Sequence, residues 1–152
     1  MTLTAKEAEY MNTNKWDGLD STGWALKAGV NHLDGDQALA YSRIRAIGNY
    51  DFGRTERQRK VLTAIMEKYR NSSFDQLWSL MNTLLPMIST DMDNSDITSL
   101  AMTLLPMLKS TELTNQRIPI NGSYESAYVG KANVIMIDFE ENREFLQEIL
   151  SD

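Results

Sequence analysis

The chain has 152 residues, of which 42% are hydrophobic and 24% charged, with a formal net charge of −6. That length holds one domain with a real core, and the composition is that of a globular protein. The acidic balance argues against nucleic acid as a partner, the lack of cysteine excludes disulfides and thiolate metal sites, and no run of about 18 apolar residues is present to cross a membrane.

In chain order, Thr4 followed by Glu7 forms a capping-box pattern and predicts a short helix over 4–13. Residues 1–18 lack the apolar core of a signal peptide. Asp17, Gly18, Asp20, Ser21 and Gly23 make a turn-rich stretch, and residues 24–28 are a weak strand candidate ended by Gly29. The single histidine, His32, excludes a multi-histidine metal site and reads as a structural or solvated residue in a turn. Asp34-Gly35-Asp36 is a helix entry, and a break follows over 48–51, with Gly53 just ahead of the next helix.

From Thr55 the pattern is helical. Val61, Leu62, Ile65, Met66 and Tyr69 recur at helical spacing and predict a buried stripe. Ser72-Ser73 and Asp93-Asn94-Ser95 cap two further helices. Both end in the same words, Thr83-Leu-Leu-Pro-Met87 and Thr103-Leu-Leu-Pro-Met107. Two copies of five residues with unrelated flanks do not make a repeat array. They predict two buried helices, the second carrying Ile97, Leu100, Leu104 and Leu108, that each meet a proline in the last turn. The nine methionines are expected to fill gaps in the core, although an adaptable apolar pocket would use them too.

The final third changes character. Residues 116–120 read as a short strand, with Pro119 favouring an edge, and 121–123 as a turn. Val134-Ile-Met-Ile-Asp138 suits a strand buried on both faces. A helix with acids in its first turn follows from Glu140, packing through Phe145, Leu146, Ile149 and Leu150. About three strands among many helices indicate a mixed α/β (α+β) organisation in a single domain over 1–152.

One window departs from the acidic average. Residues 43–60 hold six basic and two acidic side chains, a net +4 that leaves −10 for the rest of the chain. On a helix starting near Arg54, residues Arg54, Arg57 and Gln58 share a face, while Arg43 and Arg45 point the same way only on an extended backbone. Guanidinium groups are planar, permanently charged donors suited to phosphate oxygens, and a helix start is a natural anion site. A structural reading stands beside this one. Thr55 and Gln58 fit a capping box, and Arg57 has Asp51 and Glu56 in reach as surface partners. No glycine-rich phosphate loop is present.

The words around these arginines resemble a known family. Leu33-Asp-Gly-Asp-Gln-Ala-Leu-Ala-Tyr-Ser-Arg43-Ile-Arg45, followed by Asp51-Phe-Gly-Arg54-Thr-Glu-Arg57-Gln58, is similar to the hallmark of the LytR-CpsA-Psr family, also called the cell-envelope-related transcriptional attenuator domain. Glu7-Ala8, Asn12 and the stretches 118–122 and 130–138 extend the likeness over most of the chain. The resemblance implies a three-layer α/β/α domain at the extracytoplasmic face of the bacterial membrane. It implies transfer of a glycopolymer from a polyprenyl-pyrophosphate carrier to peptidoglycan, with magnesium assisting and the prenyl tail in an apolar tunnel. By motif match, Arg43, Arg45, Arg54, Arg57 and Gln58 bind the head group, Arg54 acts in catalysis, and Asp51 supports an arginine. The family's N-terminal segment, with its first strands and metal-binding aspartates, has no counterpart in these residues. The chain therefore reads as the C-terminal part of the domain, with no magnesium ligands of its own and an exposed sheet edge that favours self-association. The alternative is a non-catalytic binding or regulatory protein of the cell envelope.

Overall fold

The computed structural model describes residues 1–48, 50–107, 110 and 114–151. The chain divides into two compact units, Met1–Leu113 and Thr114–Asp152, and combines helices with short antiparallel strands as a mixed α/β protein.

In the first unit, β1 (Thr2–Leu3) pairs antiparallel with β2 (Gly29–Val30) in the register Thr2↔Val30 and Leu3↔Gly29. Helix α1 (Ala5–Thr13) starts at the expected capping box: Thr4 accepts from the Glu7 N–H, and Glu7 reaches back to the Thr4 N–H. Helix α2 (Gly35–Arg43) repeats the device with Asp34 and Gln37. Each box satisfies donors that a helix start leaves without partners. The residues between these elements do not form the strand expected over 24–28. Instead the Asn12 side-chain amide accepts from the Leu26 N–H at 3.0 Å and donates to the Leu26 carbonyl at 2.8 Å. One amide thus meets the backbone needs that a neighbouring strand would otherwise meet.

Leu3, Ala8, Met11, Ala40, Tyr41 and Ile44 form the buried core, with Trp16, Trp24, Leu26 and Val61 packed against it. Helix α3 (Tyr50–Arg70) starts at Tyr50, one turn earlier than Thr55. The Thr55 hydroxyl is therefore no cap, and it donates to the Phe52 carbonyl inside the helix. Gly53 likewise lies within the helix, not ahead of it. Past Val61 the expected buried stripe is largely open, with Leu62 and Ile65 exposed.

Helix α4 (Phe74–Leu84) is capped by Ser73 and Gln76, and Asp93 caps helix α5 (Asn94–Met107) by accepting from the Ser95 and Asp96 N–H groups. The shared pentapeptide takes two conformations. Pro86 lies in a 3₁₀ turn over Leu85–Met87 that closes α4, whereas Pro106 stays within the last turn of α5. In both copies the threonine hydroxyl donates to the carbonyl four residues back. The expectation that these helices are buried does not hold. In α4 Leu77 is buried, but Leu84, Met87, Leu100, Met102, Leu104 and Met107 are exposed. Helical periodicity marks an apolar face without saying what covers it. The methionines follow suit: Met11 is in the core, while Met87, Met92, Met102, Met107 and Met136 face outward. Asn49, within the break expected over 48–51, and Leu108, expected on the second buried helix, lie outside the described residues.

The second unit is a hairpin and a helix. Strand β3 (Tyr124–Val129), which the sequence reading missed, pairs antiparallel with β4 (Ala132–Ile137) from Tyr124↔Ile137 to Val129↔Ala132. The two-residue turn holds Gly130 at φ 62, where a side chain would be strained. Strand β4 is not buried on both faces; Ile135 and Met136 are exposed, because this sheet has two strands. Residues 116–120 form no strand. Their backbone bonds go elsewhere: the Ile120 N–H donates to Asn142 Oδ1 at 2.9 Å. Asn142, buried in helix α6 (Phe139–Ser151), also donates to Ser123 Oγ and to the Asp138 carbonyl, both at 2.7 Å. This one side chain ties the 120–123 turn to the start of α6.

Candidate anion-binding site

The arginine window spans the end of α2, the connection after it and the first two turns of α3. Ile44 leaves the helix at φ −58, ψ 124 and is 1% exposed in the core. Arg43 and Arg45 flank it and are both exposed. An inward apolar residue thus sets its two basic neighbours on the solvent side.

Arg45 and Arg54 meet at one carboxylate oxygen. Asp51 Oδ1 lies 3.3 Å from Arg45 Nε and 3.2 Å from Arg54 Nη2. Asp51 is in the first turn of α3, where a negative side chain suits the helix dipole. Its side chain is 71% exposed, so these pairs are worth at most about 1 kcal/mol each. Each guanidinium spends one donor on Asp51 out of five. Arg54 is the more enclosed of the two, and its Nε is buried without a hydrogen-bond partner among the described residues. Arg43 turns the other way, with Nη1 donating to the Asp17 carbonyl at 3.2 Å. Gln58 is exposed.

Arg57 is placed differently. It is 6% exposed, and each of its three nitrogens donates to protein. Nε donates to Glu7 Oε1 at 2.8 Å, Nη1 to the Ile44 carbonyl at 3.3 Å, and Nη2 to the Ile47 carbonyl at 2.8 Å. Its partner is neither Asp51 nor Glu56 but a residue 50 positions away. Gly53 makes room for this arrangement. A Cβ there would lie 3.2 Å from both Arg57 Nη1 and the Ile47 carbonyl oxygen.

Glu7 is also buried, at 6% exposure. Burial by itself would push its pKa up. The Thr4 N–H and hydroxyl, each donating at 2.9 Å, and the Arg57 guanidinium outweigh burial and hold the carboxyl below its ordinary value. A buried ion pair is tolerated when hydrogen bonds satisfy both ions in this way. Tyr41, fully buried, completes the cluster. Burial first, and then the Glu7 negative charge, push its phenol up to about 12.

Glu7 was visible in the sequence as the third residue of a capping box and as part of the family likeness, with no partner assigned to it. No local signal gives its link to Arg57, since the contact forms when α1 packs beside the α2–α3 junction. His32 is exposed in the segment before α2. Among the described residues, no three histidine, cysteine, aspartate or glutamate side chains stand together to hold a metal ion. The acids at the arginine centre, Asp51 and Glu7, are already paired with guanidinium groups.

A sequence model of the LytR_cpsA_psr family matches residues 6–145. Curated proteins are similar as well. The polyisoprenyl-teichoic acid–peptidoglycan teichoic acid transferase TagU of Enterococcus faecalis is 35% identical over 82 residues, covering 53% of this chain and 27% of that protein. The corresponding TagV of Bacillus subtilis is 42% identical over 49 residues, 32% of this chain and 12% of that protein. The regulatory protein MsrR of Staphylococcus aureus is 24% identical over 148 residues, 96% of this chain and 45% of that protein. The chain spans less than half the length of each of these relatives.

Proposed function

Since the chain belongs to the LytR-CpsA-Psr family, we propose that it binds a polyprenyl-pyrophosphate-linked glycopolymer and serves the transfer of that polymer to peptidoglycan. The carrying observation is the convergence of Arg45, exposed, and Arg54, partly enclosed, on a single oxygen of the exposed Asp51 side chain. An oxygen of a pyrophosphate can take the place of that carboxylate oxygen at little cost, because exposed pairs of this kind are weak. Two TagU- and TagV-type relatives named as teichoic acid transferases support the reading.

The chemistry is a displacement at phosphorus. A hydroxyl of the acceptor attacks the glycan-side phosphorus and gives up its proton to solvent, the bond to the bridging oxygen breaks, and polyprenyl phosphate departs with the electron pair. Negative charge grows on the departing phosphate, and fixed cations stabilise it most where they need not reorganise. Arg54 is the residue we assign to that charge, because it is partly enclosed and its Nε is without a partner among the described residues. Arg45 binds from the exposed side, Arg43 joins it by releasing the Asp17 carbonyl, Gln58 lies one position past Arg57 on the open face, and Asp51 holds Arg45 and Arg54 together before the ligand enters. Arg57 contributes from behind, with one donor on each of its three nitrogens committed to Glu7 and two carbonyls. The site belongs on the extracytoplasmic side of the membrane, where the carrier and peptidoglycan meet. No helix among the described residues is long and apolar enough to cross a membrane.

The test is a titration with polyprenyl pyrophosphate in detergent micelles at low salt. Saturable binding that falls at least tenfold in Arg54→Ala and in Arg45→Ala supports the reading; no saturable binding by the wild type sinks it. A turnover assay with lipid-linked polymer and peptidoglycan separates transferase from binder. The similarity to a protein named as regulatory over 96% of the chain favours a second reading, a non-catalytic binding protein of the cell envelope, which predicts binding without turnover. We also propose self-association. The β3–β4 sheet pairs with no further strand among the described residues, and unpaired edges recruit other strands. A concentration-independent monomer in analytical ultracentrifugation would exclude this.

A further inference from the structure

We infer that Glu7 is a positioning residue for the anion site, acting through Arg57 on the segment that carries Arg45. The inference rests on the reading of Arg45 and Arg54 as anion ligands.

The geometry runs as a chain of contacts. Glu7 Oε1 accepts from Arg57 Nε at 2.8 Å, which fixes the plane and direction of the guanidinium. Because the group is rigid and planar, its two outer nitrogens then have set positions. They donate to the carbonyls of Ile44 and Ile47, which bracket Arg45 in the sequence. The backbone of Arg45 is therefore held at both sides by one side chain of α3. Arg54 stands on the same helix, three residues before Arg57, so the device sets Arg45 and Arg54 in one frame. Their common contact with Asp51 is the visible result.

Glu7 is itself held on the other side. Its second oxygen accepts from the Thr4 N–H and hydroxyl, so the capping box of α1 and the anion site share one carboxylate. Burial of both partners keeps water from substituting for either. Gly53 adds the space in which Arg57 and the Ile47 carbonyl can approach the helix. The lowered pKa of Glu7 agrees with a carboxylate that stays charged in this role.

The test is calorimetric titration of the folded chain with inorganic pyrophosphate at low salt, in wild type, Glu7→Gln, Arg45→Ala and the double variant. Glu7→Gln keeps the size of the side chain and removes its charge. Its affinity is expected to fall about tenfold, as when partners that orient a binding side chain are lost. The decisive readout is coupling. If Glu7 works by placing Arg45, then Arg45→Ala costs much less affinity in the Glu7→Gln background than in wild type. A merely structural Glu7 would lower the melting temperature, leave the affinity of the folded protein unchanged and give the same Arg45→Ala loss in both backgrounds. That result overturns the inference while leaving the anion site intact. No saturable binding by wild type overturns the anion site, and the inference with it. If Glu7→Gln does not fold, Glu7→Asp keeps the charge and draws it back by one methylene; unchanged affinity in that variant also refutes the role.

Discussion

Replacing Arg57 by alanine tests the structural half of the site most directly. The change leaves the Glu7 carboxylate, 6% exposed, without its counter-charge and removes the donors to the Ile44 and Ile47 carbonyls. Breaking a buried, hydrogen-bonded ion pair by deleting one partner costs about 3–5 kcal/mol. Against a total stability of roughly 5–15 kcal/mol that is a large fraction, and it corresponds to a fall of roughly 6–20 °C in melting temperature. Arg54→Ala is the internal control. Its partner Asp51 is 71% exposed, so losing that pair is expected to cost less than about 1 kcal/mol. Differential scanning calorimetry with urea melts distinguishes the two. A double replacement, Glu7→Leu with Arg57→Met, removes both charges and is expected to recover most of the loss. Acid adds a second check. Because the folded pKa of Glu7 is depressed, its contribution is present above the ordinary carboxylate value and is lost as pH falls through the folded one. Wild type should therefore lose stability below about pH 4.5 more steeply than the double variant. An Arg57→Ala protein melting within 2 °C of wild type would refute the buried pair.

Tyr41 makes an alkaline counterpart. Its pKa is raised to about 12, so its contribution is complete below the ordinary tyrosine value and is lost as pH rises through the folded one. Absorbance at 295 nm should show a tyrosine ionisation near pH 12, and Tyr41→Phe should abolish that step. Gly53→Ala should fail to give the gain of about 1 kcal/mol that alanine brings to a helix interior, because both atoms its Cβ would crowd are pinned; urea melts showing a full gain would count against the packing. In the second unit, Asn142→Leu should cost about 1–3 kcal/mol by leaving buried partners unpaired, and faster amide exchange at Ile120 is the local readout. Unchanged exchange there would dissociate Asn142 from the 120–123 turn.

Much of the fold was legible locally. Thr4-Glu7, Asp34-Gly35-Asp36 and Ser72-Ser73 mark helix starts by side-chain chemistry that acts over a few residues, and the structure places helices at each. The hallmark words around Arg43, Arg45 and Arg54 likewise named the family from short spacings. Strands were read less well, because a strand's partner is distant in sequence. Residues 24–28 and 116–120 have strand-like composition, yet Asn12 and Asn142 meet their backbone bonds from helices. Strand β3 lacks a strong apolar alternation and is defined by β4 opposite it.

The arginine window shows the same division. The sequence by itself determined that six cations gather in residues 43–60 and which family their order belongs to. Only the tertiary structure decided how those cations are used. Arg45 and Arg54 face outward to a shared oxygen, while Arg57, on the same short stretch of helix, turns inward to Glu7. Spacing fixes the angle between side chains on a helix, but not which angle faces the core. That is set by packing α1 against the junction of α2 and α3, where a buried carboxylate makes burial of one particular arginine favourable.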